Sequence, residues 1–495
     1  MDAAPPRPDH DGPAAGGAAP GYGPSGAADA VAALATARGT AALAVVRVGG
    51  ADAVAVVASR FSDPGLASAA GRTVWVGWLT DGAGRPVDQV VCVVWRGPRS
   101  STGEDVVEVT CHGGDAVAQS VLRALYDAGA RPAGPGEFTR RAFLNGKLDL
   151  AQAEAVADLV HAESRRGHRA AVAALRGRVS AAVAEVREAL VETAALVELE
   201  LDFADEDVEF ADRPALRALL DRADAALDEL LSTARLGALA RDGVRVVLGG
   251  RPNAGKSTLL NALVGDDRAI VSPTPGTTRD AVEAEAELGG LRFRFTDTAG
   301  LRETADAVEA EGTRRARAAI AGADAVLYVV DGTVGLDAEE RAFLDALPPA
   351  TPVLVVWNKA DLLGRPAPPG SAPPGDATPD GGGADRRAGW SVSARDALAD
   401  PAALDGLRAA LLDAVRGPLS DAVMGDVAVN ERHRAHLDAA RAAVGRARAA
   451  LDGGRGGDTL ALDLRAALRE LGLVTGAVTT EDVLDAVFSR FCIGK

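Results

Sequence analysis

Several short clusters in the middle of the chain carry residue types suited to phosphate and a purine base. In "VRVVLGGRPNAGKSTLLNAL" a strand-like run enters a glycine-rich loop and then a helical pattern. Gly250, Gly255, Lys256 and Ser257 fit G-x-x-x-x-G-K-[ST]. Glycines let backbone fold around phosphates, so that N–H groups and the helix N-terminus face negative charge. The stretch Asn253, Ala254, Gly255, Lys256, Ser257 and Thr258 is the expected phosphate cradle. Lys256 is expected on the outer phosphates and Ser257 on magnesium. "DTAG" (Asp297, Thr298, Ala299, Gly300) follows the apolar run "LRFRFT". There a carboxylate reaches magnesium through water and Gly300 offers its N–H to a γ-phosphate. Alone a D-x-x-G is weak; its distance of about forty residues beyond the first cluster raises its value. "NKAD" (Asn358, Lys359, Ala360, Asp361) follows "PVLVVW". Asp361 can accept two hydrogen bonds from the guanine amino and ring N–H groups, which selects GTP over ATP, while Asn358 and Lys359 brace the loop. Ser393 and Ala394 in "SVSAR" fit the last guanine loop.

Between the first two clusters lies "SPTPGTTRD", with Ser272, Pro273, Thr274, Pro275, Gly276, Thr277 and Thr278. Either threonine of the pair could bind magnesium and sense the γ-phosphate, with Thr278 favoured for the metal. Many small GTPases place a water-orienting Gln just after D-x-x-G. Here that residue is Leu301, which cannot orient water. Asn253 could help hold a monovalent cation beside the phosphates, or could only stabilise its loop. Glu309 is a candidate to position water, and no arginine finger can be picked out.

The whole chain has 495 residues, which suits roughly two to four domains. The runs "LAVVRV", "RTVWVGWL", "QVVCVVW" and "DVVEVTC" read as strands, and "DAVAQSVLRALYDAGA" as a helix ending near Gly129. Residues 29–147 therefore read as an α/β domain. From Leu148 to about residue 242, and again over 418–495, apolar residues recur at three- and four-residue spacing, the pattern of packed helices. Residues 243–417 alternate strand and helix, which predicts a parallel sheet. The economical fold class is α/β plus α, with a GTPase domain inserted into a discontinuous helical domain. Residues 1–28 are poor in large apolar side chains and read as a disordered tail; 364–389, rich in Pro, Gly and Asp, reads as a flexible insertion. The formal charge of −17 disfavours a nonspecific nucleic-acid coat. Cys92, Cys111 and Cys492 are too few for a disulfide framework. The start lacks a signal-peptide pattern and no apolar run is long enough for a bilayer, so the expectation is a cytoplasmic chain with no membrane partner.

These motifs, with "ATARGTAALAVVRVGG", "STGEDVVEVTCHGG", "PGEFTRRAFLNGKLDLAQAEAVADLV" and the terminal "FCIGK", resemble the MnmE (TrmE) family of tRNA-modification GTPases over residues 29–495. The resemblance implies an N-terminal folate-binding and dimerising domain. It implies modification of the wobble uridine of certain tRNAs, adding an aminomethyl or carboxymethylaminomethyl group at the 5-position. The one-carbon donor would be a tetrahydrofolate derivative (5,10-methylene- or 5-formyl-tetrahydrofolate), held by Arg47, Glu108, Lys147 and Lys495. The partners would be a second copy and the flavin-containing MnmG (GidA), together a heterotetramer. A potassium ion, held by Asn253, Ser272, Thr274 and Thr277, would stand in for the arginine finger, and hydrolysis would follow dimerisation. Glu309 would orient water and Arg279 is a further switch residue. Cys492 reads equally as a nucleophile or as a small residue that seats the tail. A rival reading is a ribosome-assembly GTPase switch, which fits the nucleotide clusters but not the flanking motifs. A membrane-remodelling GTPase on a helical stalk lacks an evident lipid-binding segment.

Overall fold

The computed structural model describes residues 30–202, 213–265, 284–297, 320, 322–348, 351–363, 389–416 and 429–494. Contacts divide the chain into two units. One comprises 1–160, 174–228 and 432–495; the other comprises 161–173 and 229–431.

In the first unit, β-branched residues alternate with small and polar ones, and each strand therefore has two unlike faces. The strands are β1 (Val31–Leu34), β2 (Leu43–Gly49), β3 (Thr73–Thr80), β4 (Pro86–Trp95), β5 (Val106–His112) and β6 (Arg131–Pro132). They lie in the order β3-β4-β5-β2-β1-β6. All pairs are antiparallel except β1 with β6. Val46, Val48, Cys92, Val94, Val107 and Val109 are buried with the apolar sides of the helices Ala53–Ala58 and Asp115–Tyr126. Cross-strand register puts Arg47 opposite Glu108 on the other face.

The same unit holds helices Glu137–Leu144, Leu150–Val160, Arg178–Asp202, Glu431–Asp452, Gly457–Thr475 and Glu481–Phe488. Gly457 lets its helix approach Leu201: an added Cβ would lie 3.0 Å from Leu201 Cδ2. Glu137–Leu144 is a helix that the sequence reading did not separate from its surroundings. It begins at Gly136, which takes a left-handed φ of 61°.

The second unit carries β7 (Val244–Gly249), β8 (Ala284–Leu288), β9 (Leu291–Asp297), β10 (Ala325–Asp331), β11 (Val353–Asn358) and β12 (Gly389–Ser391), in the order β12-β11-β10-β7-β9-β8. The expected parallel sheet is present except at one edge, where β8 and β9 are antiparallel. Only Gly289 and Gly290 link those strands, both with positive φ. A two-residue link closes a hairpin, whereas parallel strands need a crossover of a dozen or more residues. Among the described residues no helix is long and apolar enough to cross a membrane.

Candidate functional site

The phosphate cradle grows from the end of β7. Gly250 turns the chain at φ 131°, Asn253 sits at φ 62°, and Gly255 at φ 94° starts the helix Lys256–Val264. Two of these turns require glycine on steric grounds as well. A Cβ on Gly250 would lie 2.1 Å from the Val329 carbonyl oxygen, and one on Gly255 would lie 2.1 Å from Asn358 Nδ2. Lys256 is buried, and its ammonium donates to the carbonyls of Gly250 (3.0 Å) and Arg251 (2.9 Å). It thereby spans the mouth of the loop. Ser257 and Asn253 are exposed at the cradle, and Ala254 is buried.

Asn358 ends β11 and is 3% exposed. Its Nδ2 donates to the Ala254 carbonyl (2.8 Å), and its Oδ1 accepts from the Ala394 N–H (2.9 Å). One side-chain amide therefore ties the loop expected to cradle phosphate to both loops expected to hold guanine. The two guanine loops are also joined directly, Ala360 N–H donating to the Val392 carbonyl at 3.1 Å. Lys359 adopts φ 65° and its ammonium lies 2.5 Å from Asp331 Oδ2. Burial pushes the Asp331 carboxyl up, but hydrogen bonds from Lys359 and Thr333 outweigh it and hold it below the usual range. Asp361 is exposed in the turn Ala360–Leu362. Ser393 caps the helix Ala394–Ala397 by accepting from Asp396 N–H at 3.2 Å. Asp297 closes β9 in register with Leu248 of β7, beside the start of the cradle.

A second group of expected residues lies in the first unit. Both Arg47 Nε (3.2 Å) and Nη2 (2.9 Å) donate to Glu108 Oε1. The guanidinium carbon stands 5.6 Å from the centre of the Phe138 ring, within cation–π range. The tail of the chain returns to this region. Pro135 bridges Ile493, Gly136 N–H donates to the Cys492 carbonyl (3.4 Å), and a Cβ on Gly494 would lie 2.3 Å from the Leu34 carbonyl oxygen. Leu34 pairs with Val46, one residue from Arg47. Phe491 is buried and packs near Phe488, ring centres 5.4 Å apart, while Cys492 is exposed. An aromatic ring, not the thiol, seats the tail. The Lys147 ammonium donates to the Pro98 carbonyl at 3.2 Å.

Comparison with known proteins agrees with these motifs. Residues 30–147 match the family model described as GTP-binding protein TrmE N-terminus. Residues 150–492 match the MnmE helical domain model. The chain belongs to the MnmE family of tRNA modification GTPases. It is 55% identical to the tRNA modification GTPase MnmE of Salinibacter ruber over 471 residues, which is 94% of this chain and 99% of that one. The MnmE proteins of Symbiobacterium thermophilum and Chlorobium phaeobacteroides are 42% and 43% identical, covering 94% of this chain and 99% and 97% of theirs. Among solved structures, a point variant of Aquifex aeolicus Era bound to GDP.AlF4- is 25% identical over 40% of this chain and 66% of that one, at a TM-score of 0.25.

The structure brings Asn253, Ala254, Gly255, Lys256, Ser257 and Thr258 into one unit with Asn358, Lys359, Ala360, Asp361, Ser393 and Ala394. Ser272, Pro273, Thr274, Pro275, Gly276, Thr277, Thr278, Arg279, Thr298, Ala299, Gly300, Glu309 and Lys495 lie outside the described residues. Sequence reasoning passed over Asp331 and Phe138. A carboxylate at the C-terminal end of an apolar strand was the available signal for Asp331, because ligands of open α/β sheets gather at that edge. Nothing local in "GEFTRRAFL" marks Phe138 as the ring beneath an arginine from a distant strand.

Proposed function

We propose that this chain, a tRNA modification GTPase, works with a flavin-containing MnmG-type partner on the wobble uridine of certain tRNAs, at the 5-position. In this reading residues 243–417 form the GTPase domain, 148–242 with 418–495 the helical domain, and 29–147 the folate-binding and dimerising domain. The observation that supports the GTPase half is the pair of hydrogen bonds of Asn358, which ties the loop expected to hold phosphate to those expected to hold guanine. The cradle suits a magnesium nucleotide: two positions there admit only glycine, and Ser257 lies exposed beside a buried lysine. Lys256 would exchange its two carbonyl partners for phosphate oxygens, a stronger charge-assisted bond. Ser257 and Thr278 would hold magnesium, which supplies charge neutralisation on the phosphates. Asp361 would select guanine, and Glu309 would orient water, with Arg279 as a further switch group.

Asn253, Ser272, Thr274 and Thr277 would hold potassium, which supplies positive charge in place of an arginine finger. The exposure of Asn253 at positive φ supports this part of the reading. Dimerisation would then trigger turnover. On the other unit, Arg47, Glu108, Lys147 and Lys495 would hold a tetrahydrofolate derivative, the source of the one-carbon unit. The acid–base pair on a sheet face, beside the returning tail, supports that assignment: carboxylates of a folate suit Arg and Lys, and a pterin edge suits Glu. A heterotetramer of two such chains and two partners, working on the cytoplasmic tRNA pool, follows from the same reading. The test is nucleoside analysis of tRNA from cells lacking this chain. Loss of the 5-position modification at wobble uridine is expected; an unchanged nucleoside profile would reject the reading. GTP turnover is expected to be faster in potassium than in sodium salts and to lose that preference in Asn253→Ala.

A further inference from the structure

In this acidic chain, residues 161–178 hold five arginines and two histidines against a single carboxylate, Glu163. Their helix, Arg165–Leu175, has two unlike faces. Gly167 and Ala171 are buried, four residues apart. Arg165, His168 and Arg169 are exposed. The side chain of Arg165 is 87% exposed and lies 3.7 Å from Glu287 Oε1. His168 and Arg169 make no ion pair among the described residues. One basic helix of the first unit shows the opposite pattern. On the helix Glu431–Asp452, Arg432, Arg434, Arg441, Arg446 and Arg448 each meet a carboxylate. Their charge is compensated within the protein, whereas that of Arg169 is not.

We propose that this exposed face, through Arg165, His168 and Arg169, docks the phosphate backbone of the tRNA substrate. The proposal rests on the function stated above, which supplies an RNA substrate, and it adds where this chain touches it. A protein of charge −17 repels a polyanion over most of its surface, so the approach is favoured only where positive charge is uncompensated. Arginine forks match phosphate oxygens two at a time. Arg165 and Arg169 stand four residues apart on one helix, so their Cβ atoms are about 5–6 Å apart and both forks can address one stretch of backbone. Releasing Arg165 from Glu287 costs little, because an exposed pair this long contributes little to begin with. The helix is already fixed in place. Ser164 Oγ accepts from Gly167 N–H (3.0 Å), and Arg166 N–H donates to the Gly290 carbonyl of the β8–β9 turn (3.2 Å).

The test is binding of fluorescently labelled tRNA to the full chain over a salt series, for wild type, R165Q/R169Q, R169E and R434Q. Each phosphate contact contributes about 0.7–0.9 to the slope of log affinity against log salt. The Gln pair is expected to lower the slope by about 1–2 and to weaken binding roughly three- to tenfold at moderate salt. R169E should weaken it further, and R434Q should match wild type. RNA-free GTP turnover should be unchanged in every variant, which separates lost docking from lost folding. An unaltered slope in both R165Q/R169Q and R169E, an equal loss in R434Q, no wild-type binding at low salt, or lost binding of an acidic polypeptide with tRNA binding intact would each overturn the proposal. Nucleoside analysis judges the underlying function independently, because it reads modification whatever surface carries the RNA.

Discussion

Replacing Asn358 by Ala removes one side chain and strands two buried partners. The Ala254 carbonyl loses its donor at 2.8 Å and the Ala394 N–H loses its acceptor at 2.9 Å. The site is 3% exposed, so water does not take their place without rearrangement. Leaving a buried polar group unsatisfied costs about 1–3 kcal/mol. Two such groups set the scale at about 2–4 kcal/mol once one of them relaxes toward solvent. Both ends of the lost link lie in loops expected to hold the nucleotide, so much of that cost falls on binding: the loops must be ordered again by the ligand. A loss of about 2–3 kcal/mol corresponds to roughly 30- to 150-fold in Kd. The measurement is the Kd for a fluorescent GDP analogue, with the melting transition of the apo protein alongside it. Asn358→Asp keeps the acceptor for Ala394 but sets a carboxylate oxygen against the Ala254 carbonyl, so it should be no better than Ala. Wild-type GDP affinity in Asn358→Ala, with the melting temperature unmoved, would show that the two bonds do not hold the loops.

Gly250→Ala should abolish nucleotide binding or yield insoluble protein, because its Cβ would meet the Val329 carbonyl at 2.1 Å at a φ of 131°; measurable GTP binding would contradict this. Glu137 carries a pH dependence. Burial raises its carboxyl pKa, but hydrogen bonds from Arg131, the Gly134 N–H and Arg141 outweigh burial and bring it from 4.5 to about 2. The folded value lies below the unfolded one, so the stabilisation is complete above about pH 4.5 and is lost as pH falls toward 2. It amounts to about 3 kcal/mol at neutral pH. Glu137→Gln should therefore be less stable than wild type at pH 7, with the gap closing in acid; a gap independent of pH would refute the assignment. Cys492→Ser should leave the melting temperature near wild type, since the thiol is exposed and Phe491 does the seating. If the thiol is a nucleophile in modification, that variant should still hydrolyse GTP but fail to restore modified uridine in cells, and full restoration would remove the nucleophile role.

How much of this was legible beforehand depended on the range over which each feature is encoded. The cradle was readable because its determinants are consecutive: Gly250, Gly255, Lys256 and Ser257 are local consequences of a strand, a turn and a helix. The strands β2–β5 of the first unit were readable from their β-branched runs, to within a few residues at their ends, whereas the short β1 and β6 were not picked out. The β8–β9 hairpin was not separated from the parallel pattern, although Gly289-Gly290 is a hairpin signal. Contacts that join distant segments left no local trace. Phe138 beneath Arg47, Lys359 on Asp331, and Gly494 against Leu34 each depend on tertiary placement. Fold class follows from periodicity, whereas the partner of a given charge follows from packing that periodicity does not encode.

The described residues expected to hold nucleotide all fall in one contact unit, and Arg47, Glu108 and Lys147 fall in the other. Within the first unit, one carboxylate joins two segments that lie close in sequence to its boundaries. Val160 ends the helix Leu150–Val160 at the first boundary, and Arg432 lies at the last. Glu154, on that helix, accepts from Arg432 Nε and Nη2, both at 2.8 Å, and lies 2.6 Å from His433 Nε2. Arg432 also donates to the carbonyls of Leu473 (2.6 Å) and Val474 (3.0 Å). Burial pushes the Glu154 carboxyl up, but the hydrogen bonds from Arg432 and His433 outweigh it, so the group stays ionised far below the usual carboxylate range. Removing one partner of a buried ion pair costs about 3–5 kcal/mol, because the other is left uncompensated. Glu154→Gln keeps the shape and loses the charge. It should destabilise the first unit by that order while leaving GDP affinity intact, since no expected nucleotide residue touches the cluster. Glu154→Gln protein of wild-type stability would show that these two segments are held by packing alone.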